Sequence, residues 1–292
     1  MSFLRRLRSY IALTKPSILL LVLITGAAGL VLEGSLLARP LNFALVLLLL
    51  AMAGGSANAF NQYFEREVDA AMTRTRLRRP LPLKSVTPAG ALICAGLLGI
   101  ASTALFGMLF NWLSASLSLA TILFYSLFYT IYLKPRTPLN IVIGGAAGAM
   151  SPVIAWAAAA GRMDIIPWLL FAIIFFWTPP HFWALALCFK EDYRQAQYPM
   201  LPLVKGDEVT WRQMAGYTLV TVAASLAVGL WDAALLYLPV AVGLGWLFLR
   251  KVARGRRSPS PRAAWGVFGF SIVYLLSLFT ALMLDSAINR LL

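Results

Sequence analysis

Residues 41–60 read LNFALVLLLLAMAGGSANAF, twenty consecutive positions without a charged side chain. A helix that crosses the hydrocarbon core of a bilayer needs about 20 mostly apolar residues, so this stretch alone predicts a membrane span. The same reading repeats along the chain. Spans are predicted at 17–35, 41–60, 89–109, 112–133, 138–160, 165–187, 213–231, 233–250 and 264–285, nine in all. Composition agrees: of 292 residues, 60% are hydrophobic and only 12% charged, too apolar for one soluble core beneath a polar surface. No soluble domain, low-complexity segment or long linker separates the spans. The predicted fold class is therefore all-α, a polytopic integral membrane protein with a single domain over 1–292.

A formal net charge of +14 invites a nucleic-acid reading, but its distribution answers otherwise. Counted by alternating sides of the nine spans, 22 of the 25 Lys and Arg residues fall on one face, while Arg39, Arg162 and Arg290 fall on the other. Such a split follows the positive-inside rule, and it predicts a cytoplasmic N-terminus and, after an odd number of spans, a C-terminus outside. The charge needs no nucleic acid to explain it; the lipid bilayer is the expected partner. Segment 251–263, KVARGRRSPSPRA, reads as a flexible cytoplasmic loop beside anionic lipid. Cys94 and Cys188 lie in apolar spans without metal-ligand spacing and read as packing residues. Lys15 and Pro16 interrupt the stretch after the basic N-terminus, so the first span is expected to be retained rather than cleaved.

The longest polar stretches, 61–88 and 188–212, follow the second and sixth spans, four helices apart. That spacing suggests a weak internal duplication in which each half lends one charged loop to a shared site; coincidence is the alternative. The first loop opens with Asn61, Glu65 and Asp69, spaced i, i+4, i+8. If the helix continues, the three stack on one face and Glu67 points away. Stacked acids repel unless a cation sits between them, and Mg²⁺ in particular is held by one or two carboxylates plus substrate phosphates. A magnesium–diphosphate site is one reading. A solvated helix end whose acids pair with Arg66 and Arg74 is the other.

The basic run from Arg74 to Arg78 and Arg79 offers guanidinium forks shaped for diphosphate oxygens, or topology and lipid contacts, or both. Lys134 and Arg136 carry the same two readings. Tyr125, Tyr129 and Tyr132 share one face of an α-helix, able to shield an allylic cation with their π-electrons or simply to pack at the interface. In the second loop Lys190, Glu191, Asp192 and Tyr193 stand at another cytoplasmic helix end. Adjacent acids cannot share a face, and Asp192 is the better candidate for a second metal position. His181, the one histidine, sits in WTPPHFW at 177–183 inside the sixth span, where the double proline opens backbone carbonyls. It reads as a haem-iron ligand or as a helix-packing residue.

Three long segments resemble the UbiA prenyltransferase superfamily: NQYFEREVDAAMTRTRLRRPLP at 61–82, YTIYLKPRTPLNIVIGGAAGAMSPVIAW at 129–156 and WTPPHFWALALCFKEDYRQAQYPMLPLVKG at 177–206. TPPHFWALA followed by PMLP is similar to the protohaem IX farnesyltransferase, or haem O synthase, branch. The resemblance spans nearly the whole membrane core. It implies nine transmembrane helices around a central cavity, Mg²⁺ as cofactor, and haem B and farnesyl diphosphate as substrates. It makes Asn61, Glu65, Asp69, Lys134 and Asp192 the catalytic candidates, all but Lys134 also metal ligands. Substrate-binding candidates are Arg74, Arg78, Arg79, Tyr125, Tyr129, Tyr132, Asn140, His181, Lys190 and Tyr193. Two positions depart from the family pattern, Glu65 where Asp is usual and Ser151 where proline is common. The longer carboxylate moves its oxygens by about one carbon–carbon bond, which Mg²⁺ tolerates poorly.

The implied reaction ionises farnesyl diphosphate to an allylic cation, which a haem vinyl group attacks before water captures the second cation, giving haem O. Rival readings are a UbiA-type enzyme acting on an aromatic quinone precursor, a non-catalytic haem-binding assembly protein and a transporter. The branch also implies a bacterial inner membrane and, as protein partners, haem A synthase or terminal-oxidase assembly proteins.

Overall fold

The computed structural model describes residues 3–231 and 235–290, which are helical over most of their length. The chain enters on α1 (Phe3–Leu13), turns at Lys15, whose backbone is left-handed (φ 54°, ψ 67°), and continues as α2 (Pro16–Glu33). Next come α3 (Pro40–Phe64), the short α4 (Arg66–Ala71) and α5 (Thr73–Arg76), and α6 (Pro88–Leu109). α7 (Trp112–Leu123) runs directly into a π-helix over Phe124–Leu133, and α8 (Asn140–Ala149) is followed at once by α9 (Ser151–Ala160). α10 (Ile165–Cys188), α11 (Lys190–Gln195), α12 (Leu201–Val204), α13 (Gly206–Trp231), α14 (Tyr237–Arg257) and α15 (Pro261–Asn289) complete it.

The sequence dictates many of these ends. Proline opens α2, α3, α6 and α15, at the position where a helix has no use for its N–H. Thr87, Asn111 and Ser260 cap α6, α7 and α15 by accepting from the backbone N–H groups of Gly90, Ser114 and Ala263. Gly34 and Gly161 end α2 and α9 in left-handed conformations, at φ 89° and 67°.

Among the described residues, eight helical stretches are long and apolar enough to cross a membrane, and they fall on eight of the predicted spans. The remaining one, 233–250, begins outside the described residues and continues as α14. By composition α14 is not among the eight, because its second half carries Arg250, Lys251, Arg254, Arg256 and Arg257. It nevertheless packs between α13 and α15 as the other spans pack with their neighbours. α13 starts at Gly206, two turns before its predicted span, so the end of the polar stretch 188–212 is helical.

Neighbour contacts close a ring: α2 lies beside α3, α3 beside α6, then α7, the π-helix, α8, α10, α13, α14 and α15 in turn, and α15 returns to α2. α9 presses against α2 so closely that a Cβ on Gly29 would meet the Pro152 carbonyl oxygen at 2.7 Å. Leu97, Ile100 and Met108 of α6 are exposed, as side chains that face lipid are. At the far end Arg290 donates to the carbonyls of Val31 and Leu32, a cation at the C-terminus of α2.

Candidate active site

α3 stops at Phe64 and α4 starts at Arg66, yet the backbone ladder crosses the joint. The Glu65 N–H donates to the Asn61 carbonyl (3.0 Å) and the Asp69 N–H to the Glu65 carbonyl (2.8 Å). The helical register therefore carries on. Asn61, Glu65 and Asp69 are buried together, at most 4% exposed, while Glu67 reaches solvent and pairs with Arg66.

The cations on this motif come from three parts of the chain, two of them remote in sequence. Arg79 pairs with Asp69 and lies 3.6 Å from Glu65 Oε2; Lys134 donates to Glu65 Oε1 at 2.5 Å; Lys15 donates to Asn61 Oδ1 at 2.8 Å. Each side chain of the motif thus has its own cation. Burial pushes the Glu65 carboxyl up, but Lys134, Arg79 and Lys15 together outweigh it and hold the group below the usual carboxylate range. At Asp69 burial, helped by the charge on Glu65, wins over Arg79 and raises the carboxyl. Removal from water and then the charge of Arg79 lower the Lys15 ammonium to about 7.

The π-helix delivers Lys134. Its wide ladder takes the Lys134 N–H to the Tyr129 carbonyl (2.9 Å), and Thr130 Oγ1 donates to the Tyr125 carbonyl (2.7 Å) while accepting from Asn61 Nδ2 (3.2 Å). Tyr125 and Tyr129 stack at 5.1 Å, and Tyr125 is close enough to Glu65 and Arg79 to feel their charges. Tyr132 is elsewhere: it is 55% exposed, stacked on Phe128 under the Arg136 guanidinium. A π-helix advances less than the 100° per residue of an α-helix, so seven residues do not complete two turns and Tyr132 leaves the face that α-helical spacing predicts.

The second loop meets the first through Asp192, whose Oδ2 accepts from the Arg74 N–H at 3.1 Å; the Arg74 guanidinium lies over the Phe189 ring. Tyr193 is buried and Lys190 pairs with Asp207 of α13. Asn140 is fully buried, its Nδ2 on the Thr137 carbonyl (2.6 Å) and its Oδ1 without a partner among the described residues. Arg78 is exposed, and Arg136 binds the carbonyls of Ile131 and Tyr132. His181 occupies the seam between α10 and α15: its ring stacks on Trp177 (4.3 Å) and Phe268 (4.6 Å), with Nδ1 2.7 Å from Ser271 Oγ.

Two members of the cluster escape sequence reasoning. Lys15 has a weak signal, a lysine directly before the proline that opens a span, but its partner is 46 positions away. Tyr198 has none: its buried ring lies 4.7 Å below the Lys134 ammonium, and beside it a cavity of about 360 Å³ opens between Lys190, Arg194, Gln197 and Pro199.

Among the described residues no three His, Cys, Asp or Glu side chains form a ready-made metal site. Oxygen donors do converge, from Asn61, Glu65 and Asp69 on one face. Since Mg²⁺ takes one or two carboxylates plus substrate phosphates, this donor set fits an ion that arrives with a diphosphate.

A family model described as the UbiA prenyltransferase family matches residues 22–283. The chain is 44% identical over 288 residues to the protoheme IX farnesyltransferase of Microcystis aeruginosa, covering 98% of this chain and 91% of that one. To the protoheme IX farnesyltransferase of Rhodopseudomonas palustris it is 45% identical over 282 residues, 94% of this chain and 89% of that one. Its fold is similar to a solved digeranylgeranylglyceryl phosphate synthase (TM-score 0.80, 17% identity, 96% of this chain and 98% of that one). It is also similar to a UbiA homolog from Archaeoglobus fulgidus bound to GPP and Mg²⁺ (TM-score 0.68, 17% identity, 94% and 99%). A multi-pass integral membrane protein with this fold and this extent of identity, the chain belongs to the UbiA prenyltransferase family.

Proposed function

We propose that the chain is a protohaem IX farnesyltransferase: it moves the farnesyl group of farnesyl diphosphate onto a vinyl group of haem B with addition of water, giving haem O and diphosphate. One observation carries the chemistry. Oxygen donors from Asn61, Glu65 and Asp69 meet the cations Lys15, Arg79 and Lys134 at one inner helix end, beside the stacked Tyr125 and Tyr129. The identity of the substrates is supported by relatives about 44% identical that carry the name of that enzyme.

Three cations against two acids leave positive charge in excess, and a diphosphate ester brings roughly three negative charges. Mg²⁺, when bound by Asn61, Glu65, Asp69 and, from the second loop, Asp192, supplies further charge neutralisation on the departing oxygens. Arg79 and Lys134 turn from the carboxylates to the diphosphate, with Arg74, Lys190 and Tyr193 on its second-loop side. The bond from farnesyl C1 to oxygen breaks, its electron pair leaving with the diphosphate. The rings of Tyr125 and Tyr129 face the allylic cation and keep water from it. The terminal vinyl carbon of haem attacks C1; water adds at the carbon next to the porphyrin and gives up a proton. The same proposal sets the cluster and the N-terminus on the cytoplasmic side of a bacterial inner membrane, in a chain that is one domain.

The test is to incubate purified protein in detergent with haem B, farnesyl diphosphate and Mg²⁺ and to analyse the extracted porphyrins by mass spectrometry. The expected product is a haem heavier by one farnesyl group plus water, absent with chelator. Unchanged haem from folded protein that binds it would sink the proposal, and prenylation of an aromatic acceptor instead would move the activity to quinone precursors.

A further inference from the structure

Of the three cations on the motif, two are explained by the acids they neutralise. Lys134 meets Glu65 and Arg79 meets Asp69, whereas Lys15, near enough to Glu65 to help keep it ionised, makes its hydrogen bond to a neutral amide, Asn61 Oδ1, at 2.8 Å. The chain takes trouble to hold it there. Lys15 has a left-handed backbone, φ 54°, a conformation uncommon for a residue other than glycine or asparagine and shared here with Lys84 and Gln197. The corner that carries it is fastened to α3 on both sides of Asn61: Asn58 Nδ2 donates to the Thr14 carbonyl (3.0 Å) and Gln62 Nε2 to the Leu13 carbonyl (2.8 Å). A doubly pinned corner that aims an ammonium at an uncharged oxygen serves something other than that one bond.

We propose that Lys15 is a third diphosphate-binding cation, parked on Asn61 Oδ1, and that a metal ion gains Asn61 only when diphosphate arrives to take the ammonium. The inference rests on the reading above that this motif holds a divalent metal with a diphosphate. Its logic is electrostatic. A metal ion alone enters where three cations outnumber two carboxylates, whereas a diphosphate draws those cations to itself and frees the oxygens of Asn61, Glu65 and Asp69 for the metal. Binding of the two is therefore strongly coupled, with Lys15 as the link at Asn61.

Equilibrium dialysis of the full-length protein in detergent against Mn²⁺ and inorganic pyrophosphate, counting both in the bound fraction, measures the coupling. In the wild type, pyrophosphate is expected to tighten Mn²⁺ at least tenfold. In Lys15→Met, Mn²⁺ alone binds several-fold tighter than in the wild type and the coupling falls by about tenfold, the order of one charge-assisted hydrogen bond. Lys15→Arg keeps the coupling. Lys15→Gln, which retains a donor for Asn61 without the charge, serves if the methionine variant does not fold, and is expected to lose the coupling likewise. Unchanged coupling in a folded, uncharged variant overturns the inference alone. Wild-type protein that binds no pyrophosphate overturns both the inference and the function proposed above.

Discussion

Arg79 reaches Asp69 and Glu65 from the loop that follows α5, while Arg78, one position earlier, is exposed. Replacing each in turn by Ala therefore tests whether the buried position binds diphosphate and the exposed one does not. Arg79→Ala is expected to lower kcat/KM for farnesyl diphosphate roughly 100-fold or more, about what two charge-assisted hydrogen bonds supply; Arg78→Ala stays within about threefold. Equal losses would count against a diphosphate site at this cluster. The spacing of Asn61, Glu65 and Asp69 made their common face legible, because i, i+4, i+8 survives even a helix joint. Their partners were not legible, since hydrogen bonds to Lys15 and Lys134 span 46 and 69 positions and no local pattern records them. Glu65, the departure from the family's Asp, reaches Lys134 on another helix, so its extra carbon has a partner that sequence alone could not name.

Elements repeat the lesson. Hydropathy fixes where a span lies but not how tightly it is wound, so 112–133 reads as one α-helix whereas its second half is a π-helix. That winding holds Lys134 toward Glu65 and turns Tyr132 outward. Deleting Phe128 is expected to let the segment relax to α-helical winding, whose larger rotation and rise per residue offset the lost residue only roughly, so that Lys134 shifts in angle and height relative to Glu65. The protein should still insert and fold, with turnover reduced at least roughly 100-fold; activity close to wild type would show that the wide turn is dispensable. The place of His181 within a span was legible too, but not its packing between Trp177 and Phe268, because Phe268 belongs to a helix 87 positions further on.

Charge asymmetry speaks to the molecule as a whole. If the basic loops are cytoplasmic, Ser258, between α14 and α15, and Ser35, between α2 and α3, lie on opposite sides of the membrane. With Cys94 and Cys188 replaced by Ala, a membrane-impermeant thiol reagent is expected to label Ser258→Cys only in inverted vesicles and Ser35→Cys only in right-side-out ones; the reverse pattern would overturn the orientation. Apolar run length placed the eight stretches that, among the described residues, are long and apolar enough to cross a membrane; the ninth predicted span, 233–250, leads into α14, whose five basic residues keep it out of that set. What run length cannot carry is that the order closes on itself. α15 seals against α2, latched by Arg290, and that closure has a schedule. Roughly 230 residues separate the end of α2 from the start of α15, so at about 5–20 residues per second of synthesis the seam stays open for some tens of seconds after α2 has emerged. For the later part of that interval the acid-bearing α3 and its π-helix partner already exist, while one flank of α2 faces lipid. A polypeptide released before α15 would leave bare that flank and the faces of α10 and α14 that pack on α15, and a protease that patrols the membrane would have them to read.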